Sequence, residues 1–193
     1  AVDFGRKVRN LIALDSYRSI FPTGKLAQDS KSAGRWNTNV GGEYYACGIG
    51  SALAGRGADL LLVDDPHSEQ DVINGNFGVF EKAYEWFTFG ARTRLMPGGR
   101  VAIIQTRWHL DDLTGRVVRD MGKNERADQY EVVEFPAILD VVSKKTKKTT
   151  QKPLWPEFFD LEALLRTKAS MPVFQWNSQY QQQPTTEEAA IVK

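Results

Sequence analysis

A single cysteine, Cys47, stands in a chain of 193 residues. One thiol excludes an intrachain disulfide framework and fits a reducing compartment. Net charge is +1, so no global field of either sign recruits a polyanion or an acidic substrate. Any nucleic-acid contact has to come from local patches. No apolar run approaches the ~20 residues of a membrane-spanning helix. Histidine occurs only at His67 and His109, which leaves little material for a histidine-rich metal centre. The opening Ala1-Val2-Asp3-Phe4-Gly5-Arg6 has neither a signal-peptide core nor an initiator Met, and reads as the start of a piece of something longer. There is no internal repeat. An apolar content of 41% allows a sizeable core, and the length suits one domain or one domain with a small appendage.

What is present centres on two apolar runs that end in polar clusters. Leu60-Leu61-Leu62-Val63 leads into Asp64-Asp65-Pro66-His67, and Val101 to Thr106 leads into Arg107-Trp108-His109-Leu110-Asp111-Asp112. Short continuous runs of branched residues predict strands buried on both faces of a parallel sheet. In open α/β sheets ligands sit beyond the carboxyl ends of such strands. Strand, helix, strand, helix order between 58 and 121 predicts a right-handed βαβ unit in an α/β domain.

The rest of the chain reads as punctuation around that unit. Residues about 3–14 are predicted helical, with Val8, Leu11 and Ile12 on one face. Residues 36–46 predict a hairpin about Gly41-Gly42. Ser68 is placed to cap a helix, and Asn74-Gly75-Asn76 to interrupt it. Phe80, Tyr84 and Phe87 recur at helical spacing up to about Leu95, and Pro97-Gly98-Gly99 reads as a turn before the second strand. Asp111 or Asp112 is expected to cap a helix carrying Leu113, Val117, Val118 and Met121. Tyr130 to Phe135 reads as a further strand. Lys144, Lys145, Lys147, Lys148 and Lys152 mark a loop or hairpin tip. It reads first as solvated, with DNA-phosphate contact as the competing reading. Asp160 is expected to cap a short helix, and 174–183 to form the last one.

An aspartate closing a buried strand, followed by a second acid, is the Walker B arrangement of nucleoside triphosphatases. Mg²⁺ wants oxygen ligands and keeps several waters. A carboxylate on a rigid strand end can hold it against the β- and γ-phosphates, while a neighbouring acid orients the attacking water. The bland alternative is a strand end where Asp-Pro caps the next element, and the pattern alone does not separate the two. For His67 and His109 the favoured reading is hydrogen bonding at strand-to-helix turns, not metal ligation.

Gly55-Arg56-Gly57 through Asp64-Asp65-Pro66-His67, taken with Thr106-Arg107-Trp108-His109-Leu110-Asp111-Asp112 and Thr114-Gly115-Arg116, resembles the large terminase subunit of tailed bacteriophages. Tyr17 to Pro22, Gly41-Gly42-Glu43, Arg92 to Leu95, Leu154-Trp155-Pro156-Glu157 and Tyr180-Gln181-Gln182-Gln183-Pro184 follow in the family's order. The resemblance covers nearly all of the chain. It implies an incomplete P-loop NTPase-like (ASCE) α/β fold, a mostly parallel sheet with flanking helices, plus a small helical or linker subdomain. It further implies a Walker B part at 1–135, a linker or lid at 136–184, and at 185–193 the start of a linker to a nuclease domain. The activity implied is ATP hydrolysis driving the packaging of viral double-stranded DNA into a procapsid. The implied cofactors are ATP and Mg²⁺. The implied partners are the DNA, the portal protein, the small terminase subunit and further copies of the chain in a ring, in the host cytoplasm with transient docking on the procapsid.

Position by position, the resemblance makes Asp64 the magnesium ligand and Asp65 the catalytic acid, where the family more often has a glutamate one methylene longer. Thr106 matches the motif that senses phosphate state. Arg56 matches a segment from which an arginine can act on a neighbouring subunit's ATP.

The chain departs from the family in lacking a Gly-x-x-x-x-Gly-Lys-Ser/Thr loop. In the family that loop lies well upstream of the matched region, and the nuclease domain follows it. Without the loop no nest of N–H groups receives the triphosphate, so weak or absent nucleotide binding by this chain alone is expected. A central strand should also be missing, leaving a sheet edge that needs a partner. Two other readings stay open. One is a metal-dependent nuclease or phosphohydrolase using Asp64 with Asp111 or Asp112. The other is a non-enzymatic remnant that binds DNA or portal.

Overall fold

The computed structural model describes residues 2–144 and 146–185, so all of the linker expected over 185–193 except Thr185, and Lys145, lie outside it. The chain divides into two compact units, 1–54 and 55–193.

In the first unit, helix α1 (Val2–Ile12) and helix α2 (Asp15–Ile20) precede a three-stranded antiparallel sheet. Its strands are β1 (Leu26–Lys31), β2 (Arg35–Thr38) and β3 (Glu43–Tyr45). The hairpin expected about Gly41-Gly42 is β2–β3, with Trp36 opposite Tyr44. Those two rings stack at 5.1 Å, and the Trp36 indole N–H donates to the Gly5 carbonyl at 3.1 Å. That close approach decides which face α1 buries. A Cβ on Gly5 would sit 2.2 Å from the Tyr44 ring, so only glycine lets the helix come this near. Gly5 and Ile12 are buried, while Leu11, expected on the core face, is exposed. Strand β1 and helix α2 carry too few apolar residues to announce themselves by pattern.

The second unit is built on strand β4 (Ala58–Asp64) and strand β5 (Leu95–Ile104), which pair in parallel. The crossover between them is helical. It comprises α3 (Glu69–Ile73), α4 (Gly78–Glu85), a π-helical turn (Trp86–Ala91) and a 3₁₀ turn (Arg92–Arg94). Ser68 and Asp71 close the entry to α3, the Asp71 carboxylate accepting from the Ser68 amide at 2.9 Å. Gly75, with φ 62°, sits in the break before α4. Phe80, Ala83, Phe87 and Ala91 are buried along the aromatic stripe.

Three expectations are corrected here. The strands are not buried on both faces. Leu61 and Val63 turn inward with Val101 and Ile103, but Leu60 (63%), Leu62 (41%) and Ile104 (58%) face solvent. Among the described residues nothing packs over that face of the two-stranded sheet closely enough to bury them. Pro97-Gly98-Gly99 is not a turn ahead of β5. It lies inside the strand as an irregularity in register, Ala58 facing Leu95 and Leu60 facing Arg100. Residues 130–135 do not form a strand, because among the described residues no neighbouring edge is bonded to them.

Helix α5 (Leu113–Lys123) packs beside α4. Strands β6 (Ile138–Val142) and β7 (Thr149–Pro153) make the lysine-tipped hairpin. Helix α6 (Leu161–Ala169), capped by the Asp160 carboxylate on the Ala163 amide at 2.7 Å, and helix α7 (Val173–Gln179) complete a local core of Ile138, Leu164 and Trp176. Gln181 pairs with the peptide of Ile138 in both directions, donating at 2.9 Å and accepting at 3.0 Å. The motif Tyr180 to Pro184 thus works here as a clamp on the chain entering β6. The chain is mixed α/β with a small parallel sheet and flanking helices.

Candidate functional site

The carboxyl ends of β4 and β5 lie side by side, Asp64 opposite Ile104. One residue on, the Asp65 amide donates to the Ile104 carbonyl at 2.9 Å. The backbone of Asp65 then turns at φ 41°, a region that Asp and Asn enter more readily than other non-glycine residues. This turn aims the Asp65 carboxylate back across the sheet, where Oδ1 accepts from the Thr106 amide at 3.0 Å. Asp64, Asp65 and Thr106, three of the residues singled out from sequence, are therefore brought together. The Asp64 side chain is exposed and has no hydrogen bond or ion pair among the described residues.

Arg56 is not part of this group. It precedes β4, which runs ~20 Å from Ala58 to Asp64 at ~3.3 Å per residue, and so lies at the opposite end of the strand from Asp64.

A second polar cluster lies just behind. Asp112 is fully buried and caps α5, accepting from the Gly115 amide at 2.9 Å. It also accepts from the Trp108 amide at 3.0 Å and from Arg107 Nε at 2.9 Å. Its oxygens are thus occupied. Asp111 pairs with Arg119 at 2.6 Å, which holds its carboxyl below the usual range. Asp112 is therefore not free to join Asp64 on a shared metal pair, and Asp111 is engaged by Arg119. Among the described residues, no group of three or more His, Cys, Asp or Glu could hold a metal ion.

Both histidines are acceptors for backbone donors. His67 Nε2 takes the Leu113 amide at 3.0 Å and His109 Nδ1 takes the Asp111 amide at 3.0 Å. His109 stacks on Phe80 at 5.3 Å, and His67 meets the same ring edge-on at 4.7 Å. Burial lowers the His67 pKa against the pull of Asp112 and Asp71. His67 therefore ties the end of β4 to the start of α5, as a structural histidine would.

Beside the strand ends opens a cleft of about 870 Å³ that reaches from Asp65 and Thr106 along β5 as far as Gly99. Gln105 lines it, with both side-chain amide atoms buried and without a partner among the described residues. Gln105 and Arg107 were not assigned roles from sequence. The one available signal for Gln105 is a polar residue closing an apolar strand. Among the described residues no helix is long and apolar enough to cross a membrane. The chain matches no protein-family model, and no curated protein matches it either.

Proposed function

We propose that this chain is part of the ATP-hydrolysing motor of a large terminase subunit, the machine that drives viral double-stranded DNA into a procapsid. The observation that carries the reading is the junction of Asp64 and Asp65, closing β4, with Thr106, just past β5. A motor of this kind needs an acid pair and a phosphate-sensing residue at adjacent strand ends.

Mg²⁺ asks for one or two carboxylates and otherwise keeps water and phosphate oxygens. The exposed, unpaired Asp64 fits that demand and would be the ligand. Bound there, the ion would neutralise charge developing on the phosphates. Asp65 would orient the attacking water, with its second oxygen left over from the bond to Thr106. Through that bond, a shift at Thr106 moves Asp65 directly, which suits a sensor coupled to a catalytic acid. The triphosphate itself does not fit, because the chain has no Gly-x-x-x-x-Gly-Lys-Ser/Thr loop of backbone donors. No hydrolytic step is therefore assigned to this chain alone. Arg56, at the far end of β4, would act on a neighbouring copy in a ring. In this reading the further partners are the portal protein and the small terminase subunit. The setting is the host cytoplasm, with docking on the procapsid.

The test is Mg-ATP binding and turnover, with and without double-stranded DNA. It uses the chain alone and the chain joined to its upstream coding sequence, each beside Asp64→Ala. The expected result is negligible turnover by the chain alone. The longer protein should show DNA-stimulated turnover that Asp64→Ala lowers by a hundredfold or more. Turnover indifferent to Asp64→Ala, or none in the longer protein, overturns the reading.

A further inference from the structure

We infer that Arg94 is an oxyanion receptor, which takes a phosphate group side-on at the amino ends of β4 and β5. The Arg94 Nε–H is buried and has no hydrogen-bond partner among the described residues. The guanidinium as a whole makes no ion pair or ring contact among them either, although the residue is half-buried. A charged donor left buried and unmet is costly. A guanidinium does not relieve that cost by giving up its proton. The acceptor therefore comes from outside the chain.

The backbone beneath this side chain is fixed. Arg94 closes the 3₁₀ turn, and the residues around it are all held. Arg92 is forked onto the Asp128 carboxylate, one bond being 2.8 Å. Thr93 Oγ1 donates to the Gly90 carbonyl at 2.8 Å, and Leu95 pairs with Ala58 where the parallel sheet begins. The guanidinium is thus presented from a rigid base. It stands apart from the acidic strand ends, since β5 runs roughly 30 Å from Leu95 to Ile104 at ~3.3 Å per residue. Nor does Arg94 line the cleft beside β5.

The ligand's chemistry follows from the donors and the local charge. Nε–H and one terminal N–H form an edge that matches two oxygens of a carboxylate or a phosphate. A neutral carbonyl would meet one donor and leave the charge uncompensated. Residues 86–100 hold Arg92, Arg94 and Arg100 and no acid, and of the three only Arg92 is ion-paired among the described residues. Arg56, just before the facing strand end, adds positive charge but already has a partner. Asp59, the first acid of β4, makes no ion pair with Arg94. A phosphate carries a charge of about −1.5 to −2 and balances this excess better than a single carboxylate does. The same chemistry is offered by a free phosphate ion and by the terminal phosphate of a nucleotide. None of this depends on the ATPase reading.

The test titrates inorganic phosphate into the isotope-labelled chain at constant ionic strength. NMR follows the Arg94 Nε–H and the main-chain amides of Thr93 and Leu95. All three are expected to shift saturably, and exchange of the Nε proton to slow at least tenfold. Matched chloride and acetate should do neither. No response to phosphate, or an equal response to chloride or acetate, overturns the proposal. Magnesium-free ATP separates the two sources. A tighter response than to free phosphate supports a nucleotide's terminal phosphate, and an equal or weaker one supports the free ion. Arg94→Lys keeps the charge but lacks the side-on edge. Its fold should persist by circular dichroism while phosphate affinity, read at Thr93 and Leu95, falls at least tenfold. Unchanged affinity in that variant also overturns the proposal. If the variant does not fold, the titration of the unaltered chain decides alone. Neither magnesium nor turnover enters the measurement, so failure here and failure of the ATPase reading are read separately.

Discussion

The Thr106 amide donates to the carboxylate of Asp65 across 3.0 Å, so the residue after one strand is tied to the residue two past its neighbour. Asp65 makes this contact from a left-handed backbone at φ 41°. In Asp65→Ala both supports fail, since alanine neither accepts the bond nor favours that conformation. The expected loss is ~1–3 kcal/mol in urea unfolding. Asp65→Asn keeps an acceptor and tolerates the left-handed region, so its loss should be under half as large. Equal losses would show that the contact contributes nothing.

Asp112 is expected to be the aspartate whose removal costs most. It is fully buried and serves a helix end, two loop amides and Arg107 at once. Removing it leaves Arg107, whose side chain is only 16% exposed, without its counter-charge. Breaking a buried pair from one side typically costs ~3–5 kcal/mol. Asp111→Ala, at a solvent-facing pair with Arg119, should cost under ~1 kcal/mol. Denaturant midpoints of the two variants check the ranking.

Two glycines in α5 should respond in opposite directions to the same change. A Cβ on Gly115 would lie 2.1 Å from the Leu110 carbonyl oxygen, whereas one on Gly122 would meet nothing within 4 Å. Gly115→Ala is expected to destabilise by ~2 kcal/mol or more, because backbone has to shift. Gly122→Ala should stabilise by ~0.5–1 kcal/mol through helix propensity. Thermal melts of the pair decide it.

Protonation of His67 should loosen the fold in mild acid. Its folded pKa lies below the ordinary 6.5, chiefly through burial. An unfolded chain therefore takes up a proton at pH values where the folded one does not. Stability from this group is fully present above the unfolded value and falls as pH drops from ~6.5 toward the lower folded value. Protonation also removes the lone pair that accepts the Leu113 amide. Urea unfolding between pH 7.5 and 5 should show that slope, and His67→Gln should flatten it. An unchanged slope in the variant would assign it elsewhere.

The helices and capping residues were legible because their causes are local. Asp112 and Asp160 each sit just before a periodic apolar stretch and cap it, and Ser68 opens the short α3. The juxtaposition of Asp64, Asp65 and Thr106 was legible because two short apolar runs joined by a helical crossover pair in parallel, which aligns their ends. Burial was not legible. Leu60, Leu62 and Ile104 have the composition of a doubly covered strand, but cover is supplied by whatever else packs, and nothing local encodes it. Tyr130 to Phe135 failed as a strand for the same reason, since a strand exists only with a bonded neighbour.

By itself, then, the sequence determined where turns fall, which residues cap, and that two acids end a strand, since backbone sterics and short-range hydrogen bonds suffice for these. The tertiary structure alone decided that the Asp65 carboxylate turns back to accept the Thr106 amide. It alone decided that Asp112 is consumed by Arg107. Those outcomes depend on partners far apart in the chain, whose meeting is set by packing and main-chain pairing together.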